Sequence, residues 1–416
     1  MQRQATAAAP DTPDAGRWTQ IFDYPYHRLP KILGQSEYAG ERIALHVGEP
    51  GVPPPAFLAE IVAEQSGLWG KYPLGTGTPD YLLSVADWLT QRYGFPSGLV
   101  DPGAHVVAYP GSKEGLFNTA LAAVMRKERD LPAGQRPIIL IPSPGYHVYF
   151  GGSLLAGADI VPLPLDEENG FLPHPEILPA DILQRTALLY LCTPHNPCGS
   201  VIPMARLKEL VALARAHDFV LVSDECYSEI YFEAPPHSIL EAAAALDGSF
   251  DSVLSLNSLS KRSGAPGLRC GFGAGDAELI TVLGLQRGYV GTQVPGPNMA
   301  AGAALWRDEA HVVEARAFYA EGVAVAEEVF GDFAGYSRPE GGFFLWLKVG
   351  EGEAFAHRLW QEQGVSVLPG SLMSRSYDEF PGDARPGTPG DDYIRFAVMH
   401  EPEKVREAAR RVAALL

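Results

Sequence analysis

The chain has 416 residues, of which 46% are hydrophobic and 20% charged, so it can form a large core or two linked domains. Its formal net charge of −18 argues against a nucleic acid or a membrane surface as partner, because both require basic patches. The four cysteines lack zinc-site spacing, and no apolar run predicts a signal peptide or a membrane span. We therefore expect a cytoplasmic protein of enzyme size without a metal site.

The composition along the chain predicts a tail and two domains. Residues 1–20 are rich in alanine, proline and aspartate, which is typical of a loose tail. Residues 21–50 are predicted to begin a small domain, residues 51–304 to form a large domain, and residues 305–416 to complete the small domain.

Short apolar runs alternate with helical patterns in the predicted large domain. Because these runs are apolar on both faces, they predict buried strands of a mostly parallel sheet with helices on both sides. The predicted strands are HVVAYP, PIILIPSP, ALLYLCTP, FVLVSDE, SVLSLNS and RCGFGAGD. The predicted helices between them include EGLFNTALAAVMRKE and MARLKELVALARAHD. The fold class is therefore α/β.

The last part of the chain has a different pattern. The segment AHVVEARAFYAEGVAVAEEVF predicts a long amphipathic helix, and GGFFLWLKV and DYIRFAVM predict strands. This order of elements is typical of a smaller α+β domain.

Polar residues follow the predicted strands of the large domain where each strand ends. In open α/β sheets, ligands bind at the carboxyl ends of the strands, so we expect these residues to converge on one pocket. They are Gly111 with Ser112, Tyr146, Asn196, Asp224, and Ser258 with Lys261.

Lys261 and Asp224 are candidates for covalent and electronic roles. A lysine can form a Schiff base with a carbonyl cofactor such as pyridoxal 5'-phosphate (PLP), and a buried carboxylate can keep the pyridine nitrogen of PLP protonated. Asn196 and Tyr227 could donate to its phenolic oxygen, and Tyr146 could lie flat on its ring. Each residue also has a structural interpretation. Lys261 could be a surface lysine and Asp224 a helix cap. Asn196 could belong to an ordinary Asn-Pro turn, and Tyr146 could serve in aromatic packing alone.

The segment PGSKEGLF offers a site for the phosphate. Gly111, Ser112 and Lys113 lie where a strand leads into a helix, and free backbone N–H groups and the helix dipole favour an anion there. Ser258 and Arg269 could add a hydroxyl and a fixed positive charge. Ser112 could equally be only the cap of the helix.

The joint pattern resembles the fold-type I PLP-dependent aminotransferases of class I and II. The motifs NPCG, SDECY and SLSKRSGAPGLR occur in the order and at the separations of that family, and the resemblance extends over nearly the whole chain beyond the tail. It implies PLP as cofactor, a seven-stranded and mostly parallel sheet in the large domain, and a homodimer with shared active sites. It also implies that Lys261, Asp224 and Tyr227 are catalytic, with Lys261 as the Schiff-base lysine and proton shuttle.

The resemblance assigns roles to residues outside the strand ends. Gly48, in HVGEP, and Asn196 are expected near the substrate. Tyr72, in KYPLGTGTPDYLLSVADWL, is expected to reach the phosphate in the neighbouring subunit. Arg395, in YIRF, is expected to hold the α-carboxylate of the substrate, although a surface arginine on an edge strand is the alternative.

Several stretches resemble one subgroup, the succinyldiaminopimelate aminotransferases. They are DYPYHRLPKIL, GSKEGLF, LLAGADIVPLPL and SLSKRSGAPGLRCGFGAGD. The resemblance implies amino transfer between glutamate/2-oxoglutarate and N-succinyl-LL-2,6-diaminopimelate in lysine biosynthesis. The alternatives are an aminotransferase for aspartate, alanine or aromatic amino acids, a PLP-dependent lyase or cyclase, and a PLP-binding sensor domain of a transcription regulator.

Overall fold

The computed structural model describes residues 24–291 and 293–416, so the predicted tail over 1–20 lies outside the described residues. The strands are β1 Ile43–Ala44, β2 Val106–Tyr109, β3 Ile138–Ser143, β4 Asp159–Pro164, β5 Thr186–Cys192, β6 Val220–Asp224, β7 Val253–Ser258, β8 Gly271–Gly275, β9 Phe344–Lys348, β10 Val365–Ser366, β11 Leu368–Pro369 and β12 Tyr393–Ala397. The α-helices are α1 Pro25–Leu33, α2 Phe57–Glu64, α3 Pro79–Tyr93, α4 Ser112–Glu128, α5 His147–Leu155, α6 Ala180–Arg185, α7 Met204–His217, α8 Ile239–Asp247, α9 Leu259–Arg262, α10 Ala277–Gln286, α11 Gly296–Arg307, α12 Ala310–Phe330, α13 Gly352–Gln363 and α14 Pro402–Ala413.

The central sheet of the described chain has seven strands in the order β2-β8-β7-β6-β5-β3-β4. Strand β8 is antiparallel to β2 and β7, whereas the other neighbours pair in parallel. Every residue of β5, β6 and β7 is buried, because helices cover both faces of the sheet. The predicted α/β class and mostly parallel sheet are therefore confirmed.

Strand β4 at one end of the sheet was not predicted. It contains Pro162 and Pro164, and a proline inside an apolar run argues against a strand because it has no N–H to donate. Strand β4 lies at the end of the strand order, beside β3, where that missing donor is tolerated.

The buried apolar residues of the described chain form four clusters. Two of them cover the seven-stranded sheet and together make the large core, and a third, the small core, lies around α12, α13, α14 and the strands β9 and β12. A fourth cluster, which contains Tyr227 and Phe343, draws on both parts of the chain. The predicted boundary after residue 304 falls inside α11, and Leu305 and Trp306 of that helix are buried in the large core. We therefore place the boundary after Arg307, and the division itself stays a prediction.

The first described helix and strand pack against the C-terminal part of the chain. Helix α1 packs against α13, and β1 pairs in parallel with β10, with Ile43 opposite Val365. Leu29 and Leu33 of α1 are buried in the small core. Among the helices of the described residues, none is long and apolar enough to cross a membrane.

Candidate active site

A cavity of about 550 Å³ lies between the carboxyl ends of β3, β5, β6 and β7 and the small domain. The predicted site residues that line it are Gly48, Gly111, Ser112, Lys113, Tyr146, Asn196, Asp224, Tyr227, Ser258, Lys261, Arg269 and Arg395. Tyr72 does not line this cavity, and its side chain is fully exposed. The strand ends therefore converge as the sequence predicted.

Lys261 lies in the short helix α9, directly after β7. The hydroxyl oxygen of Ser258 caps this helix by accepting a backbone N–H at 3.1 Å. The Lys261 Nζ donates to the carbonyl oxygen of Gly48 and lies 5.4 Å from the ring centroid of Phe343. Burial lowers the pKa of Lys261, and the Arg395 guanidinium adds to this effect. A lowered pKa increases the fraction of neutral amine, which is the form that attacks a carbonyl.

Asp224 ends β6 with only 3% of its surface exposed. Its Oδ2 accepts the hydroxyl hydrogen bond of Tyr149 at 3.0 Å, and its Oδ1 accepts the Cys226 N–H at 3.4 Å. Burial raises the pKa of Asp224, and the hydrogen bonds from Cys226 and Tyr149 oppose that rise. The next helix begins at Ile239, so Asp224 is not a helix cap.

The start of α4 forms a cradle for an anion. Gly111 is the N-cap and Ser112 the first helical residue, so the interpretation of Ser112 as a cap is wrong. Gly111 has a φ of 85°, a conformation that favours glycine. A Cβ built at Gly111 would lie 2.8 Å from Nη2 of Arg269, so a side chain there would displace the guanidinium. Free backbone donors and this guanidinium together suit a phosphate.

Arg269 is held in place beside that helix start. Its Nη2 donates to the carbonyl oxygen of Pro110 at 2.7 Å, and its Nη1 donates to that of Pro266 at 2.9 Å. Burial lowers the pKa of Lys113, and the positive charge of Arg269 lowers it further. Two cations this close to each other create a positive potential that an anion would relieve.

Arg395 lies in β12, the middle strand of the small sheet, and is only 2% exposed, so the edge-strand alternative is wrong. Its Nη1 donates to Oδ1 of Asn196 at 3.0 Å, and its Nη2 donates to the carbonyl oxygen of His46 at 2.7 Å. Its Nε is buried without a hydrogen-bond partner in the described chain. Because Oδ1 of Asn196 accepts from Arg395, the amide N–H groups of Asn196 remain available to donate.

Tyr146 and Tyr227 each contribute one face or edge of an aromatic ring to the cavity. Tyr227 packs edge-on against Phe343 and Phe344, with centroid distances of 5.5 Å and 5.7 Å. Tyr146 makes an edge-on contact with Tyr149 at 5.8 Å. Since both rings also line the cavity, packing alone does not account for them.

Five aromatic residues of the cavity wall were not predicted as site residues, namely Tyr24, Tyr26, His147, Tyr149 and Phe344. Tyr24 and Tyr26 line the cavity beside His147, and the Tyr24 and His147 rings meet edge-on at 4.6 Å. Burial, together with the charge of Lys113, lowers the pKa of His147 to about 4, so its imidazole is neutral at pH 7. Tyr24 and Tyr26 follow no strand, and the strand-end pattern therefore could not reveal them.

The cavity combines the groups that PLP requires. The amine of Lys261 fits the carbonyl of that cofactor, and the buried carboxylate of Asp224 fits its ring nitrogen. The uncapped N–H groups at the start of α4 fit its phosphate. This fold and site define the class of fold-type I PLP-dependent transferases.

The chain belongs to the family of aminotransferases class I and II, whose sequence model matches residues 41–412. It is a PLP-dependent transaminase, and it acts on amino acids and 2-oxo acids as this family does. The aminotransferase predictions are thereby confirmed, including the fold type and the relation to diaminopimelate aminotransferases.

The relatives of the chain cover nearly its whole length. The LL-diaminopimelate aminotransferase of Moorella thermoacetica is 30% identical over 97% of this chain and 98% of the relative. A solved aminotransferase from Neisseria meningitidis is 35% identical, with a TM-score of 0.87 over 96% of this chain and 98% of that one. A probable N-succinyldiaminopimelate aminotransferase from Thermus thermophilus is 25% identical, with a TM-score of 0.78 over 95% and 100%.

Proposed function

We propose that the chain moves an amino group between glutamate/2-oxoglutarate and an amino acid of the diaminopimelate type, with PLP held in the 550 Å³ cavity. The observation that carries this proposal is the convergence of Lys261, Asp224 and Arg269 on one cavity beneath Arg395 of the small domain. We propose that it does so in the cytoplasm, as expected from the composition.

The proposed roles follow from the position of each residue. When bound, PLP supplies a carbonyl that captures the amine and a ring that accepts electrons. Lys261 would hold the cofactor through its amine and carry a proton, because this amine is buried and its pKa is lowered. Asp224 would keep the ring nitrogen protonated. Asn196 and Tyr227 would donate to the phenolic oxygen, and Tyr146 would pack on the ring.

The phosphate is proposed to sit at the start of α4. Gly111, Ser112 and Lys113 offer backbone donors and one ammonium, and Ser258 and Arg269 line the same cavity with a hydroxyl and a guanidinium. Because these groups are fixed before the cofactor arrives, little conformational freedom is lost on binding.

Gly48 is proposed to lie next to the substrate because it lines the cavity together with Lys261 and Arg395. A Cβ built at Gly48 would lie 3.0 Å from the ring of Phe344, and the Gly48 carbonyl oxygen accepts the Lys261 Nζ hydrogen bond.

Replacing Arg395 with lysine should raise KM for both the amino donor and the acceptor by a similar factor. A guanidinium holds a carboxylate through two parallel hydrogen bonds, which an ammonium cannot reproduce, so we expect an increase of about tenfold to a hundredfold. Steady-state kinetics with both substrates tests this. Arg358→Lys, on the exposed side of α13, is the matched control and should leave both KM values unchanged. An effect on one substrate alone would show that Arg395 binds a side chain instead.

N-succinyl-LL-2,6-diaminopimelate is the proposed amino acid substrate, and LL-diaminopimelate is the second candidate. The name of the Thermus relative supports the first, and the names of several curated relatives support the second. Beyond the proposed cofactor groups, the cavity wall has Tyr24, Tyr26 and Met373, which offers apolar surface to a long carbon chain.

A panel of amino donors and oxo acceptors tests this substrate assignment. Both diaminopimelate compounds should be compared with aspartate, alanine and aromatic amino acids, with 2-oxoglutarate as the common acceptor. Glutamate alone should convert the bound cofactor to its amine form in a single half-reaction, which a lyase or cyclase would not do. Turnover of aspartate or aromatic amino acids, with neither diaminopimelate compound used, would contradict the substrate but not the reaction.

The enzyme is proposed to be a homodimer that shares its active sites. Tyr72 is fully exposed outside the cavity, and Trp69, Leu74 and Tyr289 near it also have exposed apolar surface. The segments that carry them are adjacent, since Arg287 donates to the carbonyl oxygen of Gly75 at 2.7 Å. A second copy of the chain would cover this surface and would bring its own Tyr72 to the cradle.

Mixing two inactive variants should restore activity if the sites are shared. Tyr72→Phe and Lys261→Ala chains would form hybrid dimers in which one site has both native residues, so about a quarter of wild-type activity should return on random pairing into two-fold dimers. Kinetic assays before and after mixing, with analytical ultracentrifugation, provide the measurement. A fully active monomer would contradict the proposal.

A further inference from the structure

We propose that Tyr149 and Cys226 are positioning residues that orient the Asp224 carboxylate and set how strongly it binds a proton. The proton shared by Asp224 and the ring nitrogen of PLP would thereby stay on the ring nitrogen. This inference rests on the proposed binding of PLP in the cavity. It assigns a role to Tyr149, in α5, and to Cys226, the variable position of the SDECY motif.

Tyr149 is fixed against Asp224 by its own packing. It lies in α5, is 1% exposed, and donates its hydroxyl to Oδ2 of Asp224 at 3.0 Å. Its ring stacks on that of Tyr190, with centroids 4.7 Å apart and an interplanar angle of 16°. A stacked ring inside a core cannot turn away, so the hydroxyl stays directed at the carboxylate.

Cys226 approaches the other carboxylate oxygen. Its backbone N–H lies 3.4 Å from Oδ1 of Asp224, and the Cys226 side chain lowers the pKa of this carboxyl. The carboxylate therefore has a donor on each oxygen. The remaining lone pairs are those available to a ring nitrogen in the cavity, because Asp224 lines that cavity.

These contacts determine in which direction the loss of Tyr149 would change the proton affinity of Asp224. Donors that bind a carboxylate favour its charged form and lower its proton affinity, whereas burial raises it. If Tyr149 did not donate, Asp224 would bind the shared proton more tightly and the ring nitrogen would lose positive charge. The other ionisable groups near Asp224 are Lys261 from α9, Cys192 from β5, Tyr146 at the start of α5, and Tyr227, three residues after Asp224.

Tyr190 provides a matched control for Tyr149. Both are fully buried tyrosines of the same stacked pair, but the Tyr190 hydroxyl donates to the carbonyl oxygen of Leu116 at 2.6 Å and not to Asp224. Tyr149→Phe and Tyr190→Phe therefore each remove one buried hydroxyl from the same place in the core. A difference between them reports the contact with Asp224.

The experiment measures the protonation of the ring nitrogen directly. Wild type, Tyr149→Phe and Tyr190→Phe are reconstituted with PLP that carries 15N at the ring nitrogen, and the 15N signal and the visible absorbance are recorded across pH. We expect Tyr149→Phe to shift the 15N signal toward that of a neutral ring. We also expect kcat to fall by about tenfold to a hundredfold with little change in KM, the range for losing a hydrogen bond to a charged group. Tyr190→Phe should match wild type in the 15N signal.

Each outcome decides the proposal. An unchanged 15N signal and pH profile in folded Tyr149→Phe would overturn it, as would an equal shift in Tyr190→Phe. If Tyr149→Phe does not fold, Cys226→Ala replaces it, and a shift in the same direction is expected because the Cys226 side chain lowers the pKa of Asp224. A wild-type protein that shows no visible band with PLP would overturn the proposed function as well, whereas a band in wild type without the variant shift would overturn this inference alone.

Discussion

Lys261→Ala should lose nearly all turnover and still bind PLP. The phosphate cradle and Asp224 do not depend on the lysine side chain, so affinity for the cofactor should persist. Turnover should fall by about a thousandfold or more, because the covalent link is lost together with a proton carrier that alone contributes about 10²–10⁴-fold. Steady-state kinetics and visible absorbance give the two measurements.

Chemical trapping identifies the lysine independently of activity. Borohydride reduction of the wild-type enzyme should attach the cofactor to Lys261, as read by mass spectrometry. Lys208→Ala, on α7 and outside the cavity lining, is the control and should be labelled and active like wild type. Labelling of any other lysine would show that the central assignment is wrong.

Asp224→Ala should also have a large effect, with kcat reduced by about 10²- to 5 × 10³-fold. A buried ion pair that loses one partner is destabilised by roughly 3–5 kcal/mol, and about 1.36 kcal/mol corresponds to a factor of ten in rate. Without the carboxylate the ring nitrogen would be largely unprotonated, and proton transfer by Lys261 would have little carbanion stabilisation to act on. Kinetics with a diaminopimelate substrate and the pH dependence of the visible band test this.

Glu225→Gln is the control for loss of a buried carboxylate at the same strand end. Glu225 accepts from the Ile239 N–H at 2.9 Å and from the Ser255 hydroxyl at 2.8 Å, and it does not line the cavity. This variant should lower the free energy of unfolding but leave the visible spectrum of the bound cofactor unchanged. Near-wild-type activity of Asp224→Ala would contradict the electronic role.

The strand-end residues could be predicted because the pattern of apolar strands and the motifs of the aminotransferase family point to the same positions. A run such as FVLVSDE is apolar until its last polar residues, and the same physical rule that buries the run brings its end to the ligand edge of the sheet. Asp224 and Lys261 therefore line one cavity, although Asp224 ends β6 and Lys261 follows β7. The burial of Arg395 in a middle strand could not be read from YIRF, because alternation of apolar residues does not fix strand order.

Contacts between distant segments account for most of what the sequence did not reveal. The hydrogen bond from Tyr149 to Asp224 depends on how α5 packs against the sheet, and a tyrosine in a helix has no pattern that reports such a partner. Tyr24 and Tyr26 reach the cavity only because α1 packs on the small core, far from them in sequence. Strand β4 was missed because its prolines are permitted by its edge position, which is a property of the whole sheet.

The pairing of β1 with β10 has a consequence for how the chain is made. Ile43 leaves the ribosome long before Val365, its partner in the sheet. Leu29 and Leu33 can be buried only after the C-terminal part of the small core has been made. At a synthesis rate of about 5–20 residues per second, the interval is on the order of tens of seconds. The large core can close during that time, while the first apolar segment stays exposed to chaperones and proteases. A chain that stops before residue 365 would keep that segment exposed permanently and should be cleared from the cell.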